Sequence, residues 1–569
     1  MRDALRIPDD IRPKANVLRR CLAPLSLAVL ALAGPAFAAP SLDVLIRNGT
    51  VIDGSGRPGF VGAVGILGDR IVYVGGPTRR SAKQVIDAKG LVVAPGFIDP
   101  HNHVLESVAR MKGPVLDEQY LTQGVTSVIV GPDGDLSPSQ IRQVNGELAR
   151  RGSGTNYLCY VGHNGIRSEV MGPAHRAPTA SELDKMKALV REGMQMGCVG
   201  LSTGLMYEPG MFSDTSEVIA LAREVKPFDG SYDSHTRDPG WRLFQSEKEA
   251  IDIGKAAGIP VKLAHEKATG LVNRGKIGDI INLVETARAA GQDVVADQYP
   301  YDGASTRVLR NLLIFEGMAA DGEENATLVE AQQKLRAVMG DPGRREVLKH
   351  LSEYGVDGGF SWIKAVGYGN MRIVDAPDDP SLMDQNLALL ARQRGKDPFD
   401  LIADLVLSSH RDIMVTLGSV DEVDLQQLIV RPWVMISSDG AYLPPGQASG
   451  HPRSTGSFTR VLGRYSRDLK LLPLEEAVRK MTSMPAEHLR MYDRGRLAVG
   501  YAADVTVFDP LTVRDRSTYT DPSRLSDGIV DVLVNGRLAV RDGKVTGAAN
   551  GRFLVRQTRP AGRSGPQRP

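Results

Sequence analysis

Five of the ten histidines stand in short clusters with other ligand-type or base-type side chains. The clusters are Asp99-Pro100-His101-Asn102-His103, Gly162-His163-Asn164, Ser234-His235-Thr236-Arg237 and His265-Glu266-Lys267. Two aspartates in similar settings, Asp133 after Gly131-Pro132 and Asp439 after Ser437-Ser438, extend the set. His101 and His103 are two residues apart, so on a strand both point to one face. With His235 and His265 they supply the imidazoles of a zinc-type site, which a carboxylate can complete. Asp439 has the chemistry of a general base acting on water at such a site. The same two-residue spacing puts Arg237 beside His235 and Lys267 beside His265. Two cations over a metal site suit a substrate that carries a carboxylate. An ion pair of Arg237 with a carboxylate such as Asp297 carries equal weight.

The elements that must position these groups alternate through the middle of the chain. Short apolar runs at 96–99, 126–130, 156–161, 199–202, 230–233, 261–264, 293–296 and 433–437 read as strands. Helical stretches separate them, the pattern of parallel βαβ units. Thr179 with Glu182 and Asp214 with Glu217 fit capping boxes. Val218, Leu221, Ala222 and Val225 make an apolar helix face, as do Ile280, Ile281, Val284, Ala287 and Ala290. Eight such units predict an α/β fold, a (β/α)8 barrel over 95–490, with chemistry at the C-terminal ends of its strands. The clusters fall there. Residues 302–432 are too long for a plain connection between the seventh and eighth strands and read as an inserted lid. Alternating runs at 44–47, 63–66, 71–74 and 85–86, separated by turns such as Asn48-Gly49, return near the other end at 503–508, 529–534 and 538–541. They predict a small β-sandwich built from both termini, 41–94 and 491–553.

With 569 residues the chain exceeds one compact core. Lys+Arg 69 against Asp+Glu 67 leaves no electrostatic footprint for nucleic acid. The expected partner is small. Lys14, Arg19 and Arg20, the apolar run 22–32 and Ala36-Phe37-Ala38 read as a secretory signal, residues 1–38. That predicts a periplasmic or secreted protein, free of the membrane once the signal is cleaved. Cys159 and Cys198 fall on adjacent strands, within reach of a bridge. Two cysteines in a long chain are no disulfide framework, so buried free thiols are expected. The tail 554–569 is expected to be disordered.

These pieces together resemble the amidohydrolase superfamily, and within it the D-aminoacylase (N-acyl-D-amino-acid deacylase) family. The matching segments are PGFIDPHNH (95–103), GVTSVIVGPDG (124–134), VGHN (161–164), GLSTGLMYEPG (200–210), SHTR (234–237), HEK (265–267), DQYPY (297–301), SSDG (437–440) and HPRSTGSF (451–458). GRLAVGYAADVTVFDP (495–510) is similar to the superfamily's returning sandwich strand. The resemblance implies one or two zinc ions held by His235 and His265 with His101 and His103 nearby, and Asp439 as catalytic acid and base. It implies that His163 polarises the scissile carbonyl, and that Lys267, the Tyr299 region and Arg453 hold the substrate. The family's second strand usually ends in a ligating cysteine, where this chain has Asp133. A carboxylate there makes the site harder and admits manganese or cobalt more readily. The implied reaction is deacylation of N-acyl-D-amino acids. A dipeptidase for C-terminal D-residues, a cyclic-amide hydrolase and a non-catalytic binding protein are the alternatives. The 197–204 stretch has no lysine to bridge metals, which counts against the cyclic-amide type.

Overall fold

A computed structural model describes residues 41–105, 113–303, 305–317, 327–356, 360–447 and 450–557. The expected signal segment, 1–38, lies outside the described residues. Strands from both ends of the described chain meet in one hydrogen-bonded sheet of nine strands. The junction is the antiparallel pair of Val92–Pro95 with Val505–Phe508. The first strand, Leu42–Val51, runs straight through Asn48-Gly49, where a turn was expected. The register instead slips between Arg47 and Gly49, with Asn48 at φ 64°. Asparagine tolerates that conformation, and the slip makes a bulge rather than a reversal. Val44, Ile46, Val64, Ile66, Val93, Val505 and Leu533 form the buried core of this sheet.

The eight expected parallel strands are all present. They are β1 (Phe97–Asp99), β2 (Val125–Val130), β3 (Asn156–Cys159, resuming at Val161–Gly162), β4 (Gly200–Gly204), β5 (Ser231–His235), β6 (Val261–Leu263), β7 (Val294–Gln298) and β8 (Val434–Ile436). They are buried on both faces, as parallel strands covered by helices must be. The ladders divide into a three-stranded sheet, β1-β2-β3, and a six-stranded one from the second half of β3 to β8. No continuous closed ladder runs round all eight among the described residues. At one seam the Tyr160 N–H donates to Val130 O and the Val199 N–H to Cys159 O. At the other, Gly440–Ala441 pairs in parallel with Asn102–His103.

Two expectations are corrected here. Cys159 and Cys198 are a disulfide, not free thiols. Their adjacent strand positions bring the Cα atoms to 4.7 Å, inside bridging distance. The segment after Phe553 is ordered as far as Gln557. Its backbone bonds Tyr157, Gly197 and Arg490, and Val555 fills the space beside Gly197. Residues 558–569 lie outside the described set.

The long connection between β7 and β8 is a folded unit. Ser305–Val308, Met414–Leu417 and Met371–Asp375 form an antiparallel sheet, covered by helices Leu328–Met339, Pro342–Tyr354 and Pro398–Ser408 around a separate apolar core. Met206 and Trp241, from the loops after β4 and β5, pack against that core. The Lys364 ammonium lies 3.9 Å from the Trp241 ring centre. The insertion therefore rests on loops at the C-terminal ends of the strands. No described helix is long and apolar enough to cross a membrane.

Candidate metal centre

Five of the eight strand ends deliver their groups to one small volume. His101 and His103 follow β1, Asp133 follows β2, His235 ends β5, His265 follows β6, and Asp439 follows β8. Asp133 stands among the imidazoles. Its Oδ1 is 3.5 Å from His101 Nε2, while Oδ2 is 3.5 Å from both His103 Nε2 and His235 Nδ1 and 3.7 Å from His265 Nε2. Asp439 Oδ1 is 3.5 Å from His101 Nε2 and 3.3 Å from His103 Nε2. His235 Nδ1 and His265 Nε2 are 2.8 Å apart. Burial alone would push both carboxyls up. The histidines around Asp133, and Arg453 with the histidines around Asp439, outweigh it and hold both well below the usual carboxylate range. Burial, with the Lys267 ammonium beside it, pushes His265 down to about 3.

The local chain pays in strain for this arrangement. Asp133, His265 and Asp439 have φ of 54°, 35° and 47°, a region that costs about 1–3 kcal/mol for a non-glycine residue. Gly204 makes room for the first of these turns, because a Cβ there would sit 2.2 Å from Asp133 O. Asp99 staples the last strand to the first: it accepts hydrogen bonds from the Ser438 N–H and hydroxyl and from Asn102 Nδ2. The Asp439 N–H then donates to His101 O. Beneath the site Lys262 pairs with Asp233 at 2.9 Å and Asp297 at 2.6 Å, all three fully buried. Asp297 Oδ1 lies 4.0 Å from His101 Nδ1. Sequence reading missed this triad. Its signal was a charge at the middle of the apolar run Val261-Lys262-Leu263, register-paired with Asp233.

The expected substrate residues divide. Lys267, Tyr299 and Arg453 come together: the Lys267 ammonium is 5.4 Å and the Arg453 guanidinium 4.8 Å from the Tyr299 ring centre. Lys267 Nζ donates to His265 Nδ1 and O. Arg453, on the first turn of helix Arg453–Arg460, pairs with Asp439 Oδ2 at 2.6 Å. Arg237 turns away into a two-bond pair with Glu249, not Asp297. His163 is buried with Nε2 2.8 Å from Glu217 Oε1, and Arg167 holds both oxygens of that glutamate. Glu217 is thereby withdrawn from the expected capping box. Only half of the box forms, the Asp214 carboxylate accepting from the Glu217 N–H. Thr179 and Glu182 form theirs in full. Tyr207, also missed, packs against His235 at a tilt of 53°, with ring centres 4.6 Å apart.

The donor set suits a divalent cation. His101, His103 and Asp133 form one compact group, Asp133, His235 and His265 a second, and His101, His265 and Asp439 a third. Both ring nitrogens of His101, Asp133 Oδ1 and His235 Nε2 are buried without hydrogen-bond partners. Such orphaned atoms are costly unless something binds them. Imidazole and carboxylate are ligands of zinc and its neighbours.

A strand-end site of this kind defines a metal-dependent hydrolase, and comparison with known proteins agrees. The amidohydrolase family model matches residues 84–224 and 381–540, and the chain belongs to the amidohydrolase family. D-aminoacylase of Alcaligenes xylosoxydans xylosoxydans is 32% identical over 536 residues, covering 90% of this chain and 98% of that protein. N-acyl-D-glutamate deacylase of the same organism is 33% identical over 546 residues, covering 89% and 98%. Among solved structures, a D-aminoacylase described as having a binuclear metal centre superposes with a TM-score of 0.72 at 32% identity, covering 90% of this chain and all of the other. N-acyl-D-glutamate deacylase from Bordetella bronchiseptica, complexed with zinc and a phosphonate inhibitor, gives 0.70 at 28%, covering 91% and 100%.

Proposed function

We propose that the chain hydrolyses N-acyl-D-amino acids to a carboxylate and a free D-amino acid. The carrying observation is the Asp133 carboxylate set among four histidines with Asp439 beside it. The full-length similarity to D-aminoacylase and the acidic deacylases supports the substrate class. His101, His103, Asp133, His235 and His265 hold one or two divalent cations, zinc first and manganese or cobalt as alternatives. Such a cation supplies a Lewis acid that polarises a carbonyl and acidifies water. Asp439 takes a proton from water as its oxygen bonds the amide carbon. It then returns the proton to the nitrogen as the C–N bond breaks, leaving acid and amine. Arg453, Lys267 and Tyr299 orient the substrate's carboxylate. For His163 the resemblance alone supports a role at the carbonyl. β4 carries no lysine, and Thr203 there bonds Tyr232 and Ser234, which counts against a cyclic-amide hydrolase.

The two parallel sheets read best as halves of one eight-stranded barrel, supported by the bonds at both seams. The 302–432 unit reads as a lid over its mouth, supported by its packing on the loops after β4 and β5. The Cys159–Cys198 disulfide supports export, since such bonds persist in oxidising compartments. Amine release from paired N-acetyl-D- and N-acetyl-L-amino acids tests the function. Chelator-sensitive release from the D-series is expected; release from neither series, with metal bound, overturns the proposal.

A further inference from the structure

The three cations expected at the substrate differ in what already holds them. Arg237 is committed to Glu249 by two hydrogen bonds. Lys267 is committed to the ring and carbonyl of His265. Arg453 alone of the three holds the carboxylate proposed to do the proton transfer. The geometry of that pair is specific. Asp439 turns Oδ1 inward, 3.3 Å from His103 Nε2 and 3.5 Å from His101 Nε2. Its other oxygen, Oδ2, is covered by the Arg453 guanidinium at 2.6 Å. The Arg453 backbone is pinned, its N–H donating to His451 Nδ1, while His451 Nε2 lies 3.0 Å from Gly303 O after β7. The guanidinium lies on the face of Tyr299 and its side chain remains 16% exposed, against 5% for Asp439. It therefore reaches towards the mouth from a fixed base.

We infer that Arg453 gates Asp439: it covers the Oδ2 lone pairs of Asp439 until a substrate carboxylate takes the guanidinium in exchange. The inference rests on the deacylase reading above. A carboxylate is a like-for-like replacement, since the guanidinium fork binds either partner in the same planar geometry. The exchange keeps the guanidinium paired with a carboxylate, and it leaves Asp439 Oδ2 open to a proton in the complex where one is to be moved. Substrate binding and activation of the base become one event. The substrate's carboxylate then contributes to turnover and not only to affinity, as expected when binding energy from a non-reacting group is used at the reacting one. An amide of the same shape without a carboxylate would enter the site but leave the guanidinium on Asp439.

The test compares N-acetyl-D-leucine with N-acetyl-3-methylbutylamine, the same amide without its carboxylate, on the metal-loaded wild-type enzyme. Expected is a kcat for the carboxylate-free amide at least about 100-fold lower, an effect of the size lost with a positioning group. Added acetate should restore part of that turnover by occupying the guanidinium. In Arg453→Ala, acetate should do nothing and the two substrates should approach one another in kcat. Equal kcat values in the wild type, with only KM raised for the carboxylate-free amide, would overturn the gate while leaving the deacylase reading intact. So would slow turnover of that amide which acetate fails to raise. Hydrolysis of neither substrate would instead remove the deacylase reading and the gate with it.

Discussion

Replacing Lys262 with methionine keeps the stem's volume and removes the ammonium that Asp233 and Asp297 share. All three side chains are fully buried. Among the described residues the only other ion-pair contact to either carboxyl is His101, 4.0 Å from Asp297. Removing one partner from a buried ion pair costs about 3–5 kcal/mol, because the remaining charge stays desolvated. Folded proteins have about 5–15 kcal/mol of stability altogether, so the loss would be roughly a fifth or more of it. Equilibrium urea unfolding, followed by tryptophan fluorescence, should show the midpoint falling accordingly. The triple variant Lys262→Met, Asp233→Asn, Asp297→Asn has no uncompensated charge and should recover most of the loss. A single variant within about 1 kcal/mol of wild type would refute the reasoning, since the carboxyls would then have been compensated elsewhere.

Three further outcomes follow from the same geometry. Changing Cys159 and Cys198 together to alanine should lower unfolding free energy by about 4 kcal/mol, the entropy of opening a loop of this separation; a thiol assay on the denatured wild type should meanwhile find neither cysteine free. Asp117 accepts bonds from Thr155 and Tyr157, but burial pushes its carboxyl up to about 6 from 3.8. The folded chain thus binds that proton more tightly than the unfolded one, so its stabilisation is full below about pH 4 and lost as pH rises through about 6. Asp117→Asn should accordingly gain up to about 3 kcal/mol on the wild type between pH 4 and pH 7, read as the difference in unfolding free energy; a pH-independent difference would contradict it. Asp439→Asn should keep its metal, measured by elemental analysis, while kcat falls by about 10²–10⁴; near-full turnover would remove the residue from the reaction.

Much of this was legible because parallel strands buried on both faces announce themselves as short apolar runs, and the reactive groups come directly after them. His101 and His103, His235, His265, Asp133 and Asp439 were found that way. What escaped was what side chains do once two segments meet. Nothing local in Arg237 says that Glu249, twelve residues on, will claim it. Glu217 fits a cap by spacing, yet a buried histidine and arginine outbid the helix end for its carboxylate. The cysteines were misjudged for a related reason: counting them says nothing of the 4.7 Å between their Cα atoms, which the neighbouring strands impose. Asn48-Gly49 satisfies a turn and a bulge equally, and the pairing partners of the Leu42–Val51 strand decide between them.

The account turns on Asp133 joining the two pairs of histidines through one carboxylate. Elemental analysis of the purified wild type and of Asp133→Ala, after equilibration in the same limiting metal, measures that directly. About one to two divalent ions per chain are expected in the wild type, with a clear loss in the variant. An Asp133→Ala protein that retains the full complement of metal, and turns over as before, would contradict it.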